Sequence, residues 1–385
     1  MALVQKQFGD LITFTRSSAG GRFNERGIYE MVPANQPRFN YDPVTLQPLG
    51  ILTEESRTNY VKDSGFSPIT LGWYKSPGIV VGAPVVSPDG SLSGLSVTTT
   101  PGTGSFLSQV STVPEGTNTY SLFCKATEDS QFSLFFEFGS GTGGTVQFNA
   151  VSKTFSGGTP ISTSCVEAGN GWVRISITVT SQKLAFYIGA YGPAPAVLHS
   201  GYIWGFQVES GNFPTSLIPT LASQVTRTAD VVMISHLSPW YNPGGGTLFV
   251  DYTPGQIGIG STNAGAYLCS ANPSENVIVL RDGPVKGTIY GLMAMSAQEV
   301  VSSIIGARLG AGVPLKMAYS YSAESAALSV NGAAPVKGVT GKIAAPTRIF
   351  IGGAPNTQQL SNGHVRAVRY YPFKLTDAEL QALTK

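Results

Sequence analysis

Along most of the chain apolar and polar residues alternate one by one. The period-two runs are TYSLFCKA (119–126), FSLFFEFG (132–139), TVQFNAV (145–151), VRISITVT (173–180), KLAFYIGA (183–190) and YIWGFQVE (202–209). A second series follows: GTLFVDYT (246–253), NVIVLRDG (276–283), LKMAYSYS (315–322), AALSVNGA (326–333), TRIFIGG (347–353) and HVRAVRYYP (364–372). Alternation over five to eight residues turns one face of a strand toward a core and the other toward solvent. Gly- and Ser-rich breaks such as SGGTP and AGNGW separate the runs, and Asn331-Gly332 is a turn dipeptide. The stretch 296–310 has β-branched content that favours a strand, although Ser296 and Glu299 match a capping box. The pattern predicts an all-β chain: two jelly-roll-type β-sandwiches, an N-terminal extended strap and a short C-terminal helix. The helix is expected on the edge of the last sandwich, with Thr376 as N-cap, Glu379 at N3, and Leu375, Leu380 and Leu383 as apolar contacts.

Punctuation divides the chain into three parts. Residues 1–62 carry four prolines in sixteen positions (Pro33, Pro37, Pro43 and Pro48), which oppose both a long helix and a central strand. This part is expected to lie as an ordered strap across another surface. Its arginines, among them Arg16, Arg38 and Arg57, would tie it down through carbonyls and Glu54 or Glu55. Replacing Arg38 or Arg57 by Ala is then expected to cost roughly 1–3 kcal/mol. Residues 63–222 are expected to form the first sandwich and 223–385 the second, with a boundary stretch 213–231 punctuated by Pro214 and Pro219 and the linker near 218–232.

Composition narrows the function. The chain has 385 residues, of which 12% are charged and 42% hydrophobic, with a net charge of +2. That argues against disorder driven by charge, and no basic stripe marks a nucleic-acid surface. At roughly 100–200 residues per domain, two domains fit the length. No run is long enough to span a membrane as a helix, and the start MALVQKQFGD lacks an apolar signal region, so synthesis in a cytoplasm is expected. Cys124, Cys165 and Cys269 contain no CxxC spacing and read as small buried hydrophobes.

Catalytic motifs are missing: no GxxxxGK[ST], GxSxG, HExxH or EF-hand loop occurs. His199, His236 and His364 are far apart, and neither a metal site nor a cofactor is expected. Glu137, Glu209 and Asp251 sit in strands and would have to converge in a groove to hydrolyse a glycan. Aromatics are the stronger feature, because sugar sites set Trp and Tyr faces beside Asn, Asp or Gln. Trp240-Tyr241-Asn242 beside a Gly-rich turn is the first candidate and Trp73-Tyr74 the second, whereas Trp172 and Trp204 fit a core.

The first part has a further property. FTRSSAGGRFNERGIYEMVPANQPRFNYDPVTLQPLGILTEESRTNYVKDS closely resembles a cassette of tailed-bacteriophage structural proteins, F-T-R-[AS]-[ST], N-x-P-R-F-x-Y-D-P-x-T and G-[IL]-L-x-E-x-x-R-T-N, matched from Phe14 to Asn59. SLIPTLASQVTRTADV (216–231) resembles the family's join between sandwiches. GHVRAVRYYPFKLTDAELQALT (363–384) resembles the last strand and helix of its concanavalin A or laminin-G-like domain. The resemblance implies a virion or tail-fibre protein whose first sandwich is like a carbohydrate-binding module and whose second is lectin-like. It implies a non-enzymatic homotrimer that binds host surface glycan and contacts other virion proteins. Its structural anchors would be Arg16, Arg38, Asp42, Glu55, Arg57 and Asn59. Relative to longer members, the chain lacks an extended anchor or shaft before the cassette and the parallel β-helix pattern of a glycan-cleaving tailspike. Two alternatives accompany this expectation: a purely architectural capsid or baseplate decoration, and a glycan depolymerase.

Overall fold

The alternating runs form antiparallel strands in the computed structural model, which describes residues 11–65, 73–100, 105–109, 113–127, 133–138, 144–181, 186–190, 200–255, 264–270, 275–282, 288–295, 300–308, 310–354 and 360–385. Four large sheets pack in two pairs among the described residues. In the first sandwich, sheet A runs in the order Ser162–Glu167, Val173–Ser181, Gly116–Ala126, Ser200–Ser210, Leu92–Thr99, Ile79–Val81. Sheet B opposes it in the order Thr154–Ser156, Gly144–Asn149, Ser133–Phe138, Phe186–Ala190, Ser105–Gln109, Tyr74–Lys75. Tyr120, Leu122 and Cys124 of one strand and Ile175, Ile177 and Val179 of its neighbour meet Leu107, Val146 and Phe148 of sheet B in the core. Spacing by two along each strand is what aligns these side chains on one face.

Sheet A is buried on its other face too. There Phe123, Trp172 and Trp204 pack with Tyr29 and Phe23, which come from the hairpin Gly20–Phe23 and Tyr29–Val32 of the first sixty residues. The Tyr29 ring stands edge-on to Phe123 and Trp204, with centroids 6.1 and 5.9 Å away. Its hydroxyl donates to the Leu217 carbonyl at 3.1 Å.

The second sandwich pairs sheet C with sheet D. Sheet C runs Thr13–Thr15, Val231–Ile234, Arg348–Ile351, Ala264–Cys269, Val277–Asp282, Thr288–Ala294, Val300–Arg308. Sheet D runs Val336–Val339, Ser325–Val330, Leu315–Ser322, Gly245–Thr253, Gly363–Tyr371, Pro48–Thr53, Phe39–Tyr41. The ambiguous stretch near 300 is the strand Val300–Arg308. Its proposed cap, residues 296–299, lies outside the described residues.

Two sequence expectations need correction. The first part is not a strap laid over a finished domain. Three of its strands, Thr13–Thr15, Phe39–Tyr41 and Pro48–Thr53, belong to the sheets of the second sandwich. The prolines permit this because the segments between them are short and enter at or beside sheet edges, with Pro48 only starting its strand. A boundary at residue 62 therefore divides the sequence but not the fold. The helix Asp377–Thr384 has the expected capping box, yet it lies over the outer face of sheet D rather than on an edge. Leu375 and Leu380 bury against Phe249, Ala318 and Ala327. Those three alternate with the core residues of their strands, so the outer face is apolar there and needs a cover.

Candidate functional site

The cassette and the linker meet between the sandwiches in a buried cluster of ions. Arg16 reaches Asp230 at 2.9 Å and the carbonyls of Val32 and Pro33 at 3.1 and 2.8 Å. The Arg38 guanidinium donates to Glu54 at 2.7 Å, to the Ser216 hydroxyl at 2.8 Å, to the Gly21 carbonyl at 3.0 Å and to Asp230. Arg227 stands 3.6 Å from Glu54 and 3.7 Å from Asp230. The Asp230 and Glu54 backbones are themselves tied, with Asp230 N–H donating to the Glu54 carbonyl at 3.0 Å. Charges taken out of water are stable only when paired and bonded in this way.

The other cassette anchors act locally. Asp42 accepts from the Val44 and Thr45 amides at 2.9 and 2.8 Å, closing the turn that leads to Leu46 in the left-handed region, φ +59°. Glu55 pairs with Arg57 at 2.5 Å and accepts from the Asn362 amide at 3.0 Å. Arg57 lies 4.7 Å over the Phe213 ring. Asn59 is fully buried and bonds Phe206, Ile218, Val61 and Val208, all through main-chain groups. Sequence reasoning named Glu54 as a partner for the arginines but missed Ser216. Asp230 and Arg227 were visible only as punctuation before the next apolar run.

Electrostatics follow from this packing. Burial alone would push the Glu54 carboxyl up; Arg227, Arg38 and the Ser216 hydroxyl outweigh it and hold Glu54 well below the usual carboxylate range. Burial lowers the Arg38 guanidinium, and Glu54 and Asp230 more than reverse it, so it stays charged. His364 borders the cluster with its Nε2 2.7 Å from the Asn40 amide. Burial lowers its imidazole to about 4, with Arg38 and Arg366 acting in the same direction and Glu54 against it.

The two aromatic candidates fall in different surroundings. Trp240 and Tyr241 are half-buried and pack on Tyr370, with ring centroids 5.4 and 5.5 Å away. The Tyr241 hydroxyl donates to the Ala344 carbonyl at 2.8 Å. Asn242 donates to the Pro372 carbonyl at 2.7 Å and accepts from Gly244 at 2.8 Å. Trp240 and Tyr241 pack against the second core, and the side-chain polar atoms of Tyr241 and Asn242 bond within the protein. Trp73 is 7% exposed within the first core, and its indole N–H donates to the Asp63 carbonyl at 3.0 Å. Its neighbour Tyr74 is 56% exposed.

Tyr74 lies on the outer face of sheet B. Its ring is 5.7 Å from Phe106, tilted by 41°. Phe106 and Ser108 alternate with buried Leu107 and Gln109, and Gln147 alternates with buried Val146 and Phe148. Pairing places Tyr74 and Tyr187 in register with Ser108, and Gly189, Phe135 and Gln147 in one row with Phe106. Phe106 was not singled out in the sequence, because nothing local distinguishes an outward Phe from an inward one.

Glu209 and Asp251, two of the three acids that hydrolysis would need together, lie in different sandwiches. Glu209 is buried in the first sandwich, its oxygens accepting from Gln207 and Thr215. Asp251 is in the second sandwich, and the Glu137 side chain lies outside the described residues, as does His199. His236 is exposed just after the strand Val231–Ile234 of sheet C, whereas His364 lies on Gly363–Tyr371 of sheet D. No helix among the described residues is long and apolar enough to cross a membrane.

No family model and no curated protein matches the chain. Solved structures do. A heptameric pentraxin from Limulus polyphemus is similar at 16% identity over 37% of this chain and 70% of that one, TM-score 0.30. A sialidase CBM40 domain from Ruminococcus gnavus, bound to α2,3-sialyllactose, is similar at 12% identity over 37% and 84%, TM-score 0.32. A tandem CBM22 domain from Paenibacillus barcinonensis is similar at 10% identity over 83% and 99%, TM-score 0.27.

Proposed function

We propose that this chain is a non-enzymatic bacteriophage virion protein, of tail-fibre or receptor-binding type, that binds host surface glycan through the outer face of sheet B. The exposed Tyr74 ring beside Phe106 carries the proposal. A pyranose presents an apolar face to such rings, and Ser108 and Gln147 lie within the same rows for its hydroxyls. The cassette's resemblance to tailed-phage structural proteins supports the virion assignment. An open face binds each sugar weakly, and a homotrimer or many copies per particle would supply avidity.

The test is saturation of the host cell surface by purified protein, with competition against phage adsorption. Tyr74→Ala is expected to weaken binding about tenfold. Binding that survives this change, or no binding at all, removes the sheet B reading. Mass spectrometry of purified particles checks the virion assignment, and light scattering the trimer.

One observation favours the architectural alternative. Val44 and Leu46 are 57% and 45% exposed at the tip of the rigid turn held by Asp42. An apolar pair there suits contact with another virion protein. Failure of the cell-binding test together with capture of this turn by a capsid or tail component would select that role.

A further inference from the structure

A polar groove of about 410 Å³ opens between the cassette and the first sandwich, within the ~300–1,000 Å³ typical of small-ligand sites. One wall is the cassette segment Glu55 to Thr58; the other is Ser210 and Gly211 at the end of the strand Ser200–Ser210; Tyr60 adds a half-buried ring. We propose that this groove binds a neutral sugar through two adjacent hydroxyls. It is separate from the sheet B face and does not rest on it.

The wall is preorganised. Arg57 is held between Glu55 at 2.5 Å and the Phe213 ring at 4.7 Å. Glu55 is pinned on its other side by Asn362, which donates to its carboxylate at 3.0 Å and accepts from its amide at 2.9 Å. Gly211, at φ +123°, leaves room for the guanidinium, since a Cβ there would stand 1.8 Å from Arg57 Nη1. Ordering these groups before the ligand arrives lowers the entropy lost on binding.

Within that wall one donor is unused. Arg57 is only 9% exposed, and its Nε is buried without a hydrogen-bond partner. A buried N–H without an acceptor costs free energy, which a ligand oxygen recovers once the guanidinium turns to present that N–H to the groove. Guanidinium and carboxylate lie side by side, donor next to acceptor. Each of two adjacent sugar hydroxyls both donates and accepts, so the pair matches a vicinal diol. The two charges cancel, and the exposed part of Glu55 opposes a carboxylate ligand, which selects neutral sugars over acidic ones. The Ser56 side chain faces solvent at the rim.

Titration of the full chain with methyl gluco-, galacto- and mannopyranosides, D-glucuronate and glycerol, followed by ligand-observed NMR, tests this. At least one methyl pyranoside is expected to saturate in the millimolar range, with glucuronate and glycerol about tenfold weaker or worse. Ser56→Trp, which fills the groove from its rim, is expected to lower that affinity at least about tenfold, and Tyr74→Ala to leave it unchanged. Arg57→Lys keeps the charge but removes the Nε–H, and is expected to weaken binding about fivefold or more while glucuronate does not gain. No saturating pyranoside, binding indifferent to Ser56→Trp and Arg57→Lys, loss on Tyr74→Ala alone, or preference for glucuronate or glycerol would each overturn the proposal.

Discussion

The two sandwiches are completed in different ways. Every paired strand of the first, from Tyr74–Lys75 to Ser200–Ser210, comes from one continuous stretch of chain. The second takes an edge of sheet C and two neighbouring strands of sheet D from residues 13–53, some two hundred residues earlier in sequence than the rest. What the first needs from the cassette is a lid on an aromatic face; what the second needs is strands. Between them the apolar cores give way to a junction of buried ions, where Arg16, Arg38 and Arg227 face Glu54 and Asp230. Alternation can specify a core from local sequence. A junction of this kind is specified by which charges arrive together, and that depends on the whole topology.

Dividing the chain gives the largest expected effect. A fragment of residues 223–385 is expected to show no cooperative thermal transition alone and to regain one when residues 11–62 are supplied in trans. Independent folding of 223–385 with an unchanged melting temperature would mean that the borrowed strands are dispensable. Next in size is the contrast between junction and core. Arg38→Ala leaves Glu54 and Asp230 buried with too few cations and is expected to cost roughly 3–5 kcal/mol, above the 1–3 expected for a simple bonded anchor. Leu122→Ala in the first core is expected to cost roughly 2–5 kcal/mol by leaving a cavity. Chemical denaturation of both variants shows whether junction and core are comparable supports.

Acid should separate them further. His364 titrates near 4 when folded and near its ordinary 6.5 when unfolded. The folded state therefore holds fewer protons between these values, and stability falls as pH drops from about 6.5 to 4. Allowing for its partial exposure, the loss is on the order of 2 kcal/mol. Glu54, held below its ordinary range, contributes stability above the unfolded carboxylate value and loses it only as pH falls through its depressed folded value. Denaturation midpoints at pH 7 and 4.5 for the wild type and His364→Gln measure the first effect, which the variant should flatten. The smallest effect belongs to the periphery: Thr376→Ala removes the helix cap and is expected to cost about 1 kcal/mol.

The long strands Gly116–Ala126, Val173–Ser181, Ser200–Ser210, Gly245–Thr253, Leu315–Ser322 and Gly363–Tyr371 were legible because their inward residues alternate with polar ones, and the helix because Thr376 and Glu379 form a local box. The strand Ser162–Glu167 was not, since STSCVE pairs at an edge and has little apolar contrast. Nor was the destination of Phe39–Tyr41 and Pro48–Thr53, because prolines report what a segment cannot do and leave its partner open. At the site, the cassette arginines were recognisable as anchors, but their acids lie up to 214 positions away. Trp240-Tyr241 ranked ahead of Trp73-Tyr74 as surface rings. Packing on Tyr370 half-buries the former pair, whereas Tyr74 stays 56% exposed beside Phe106.

The borrowed strands also set an order in time. Thr53 bonds Ser361 across 308 positions. At ~5–20 residues per second, a ribosome makes the first of that pair about 15–60 s before the second. For the later part of that interval the first sandwich has all of its strands, since Ser210 is made well before Ser361, while Pro48–Thr53 still waits for Gly363–Tyr371. Unpaired strands invite association with other chains, and prolines and arginines are the residues that discourage it. Pro33, Pro37, Pro43 and Pro48, with Arg38 among them, thus serve one nascent chain twice: they discourage association while the segment waits, and Arg38 fixes its place through Glu54 and Asp230.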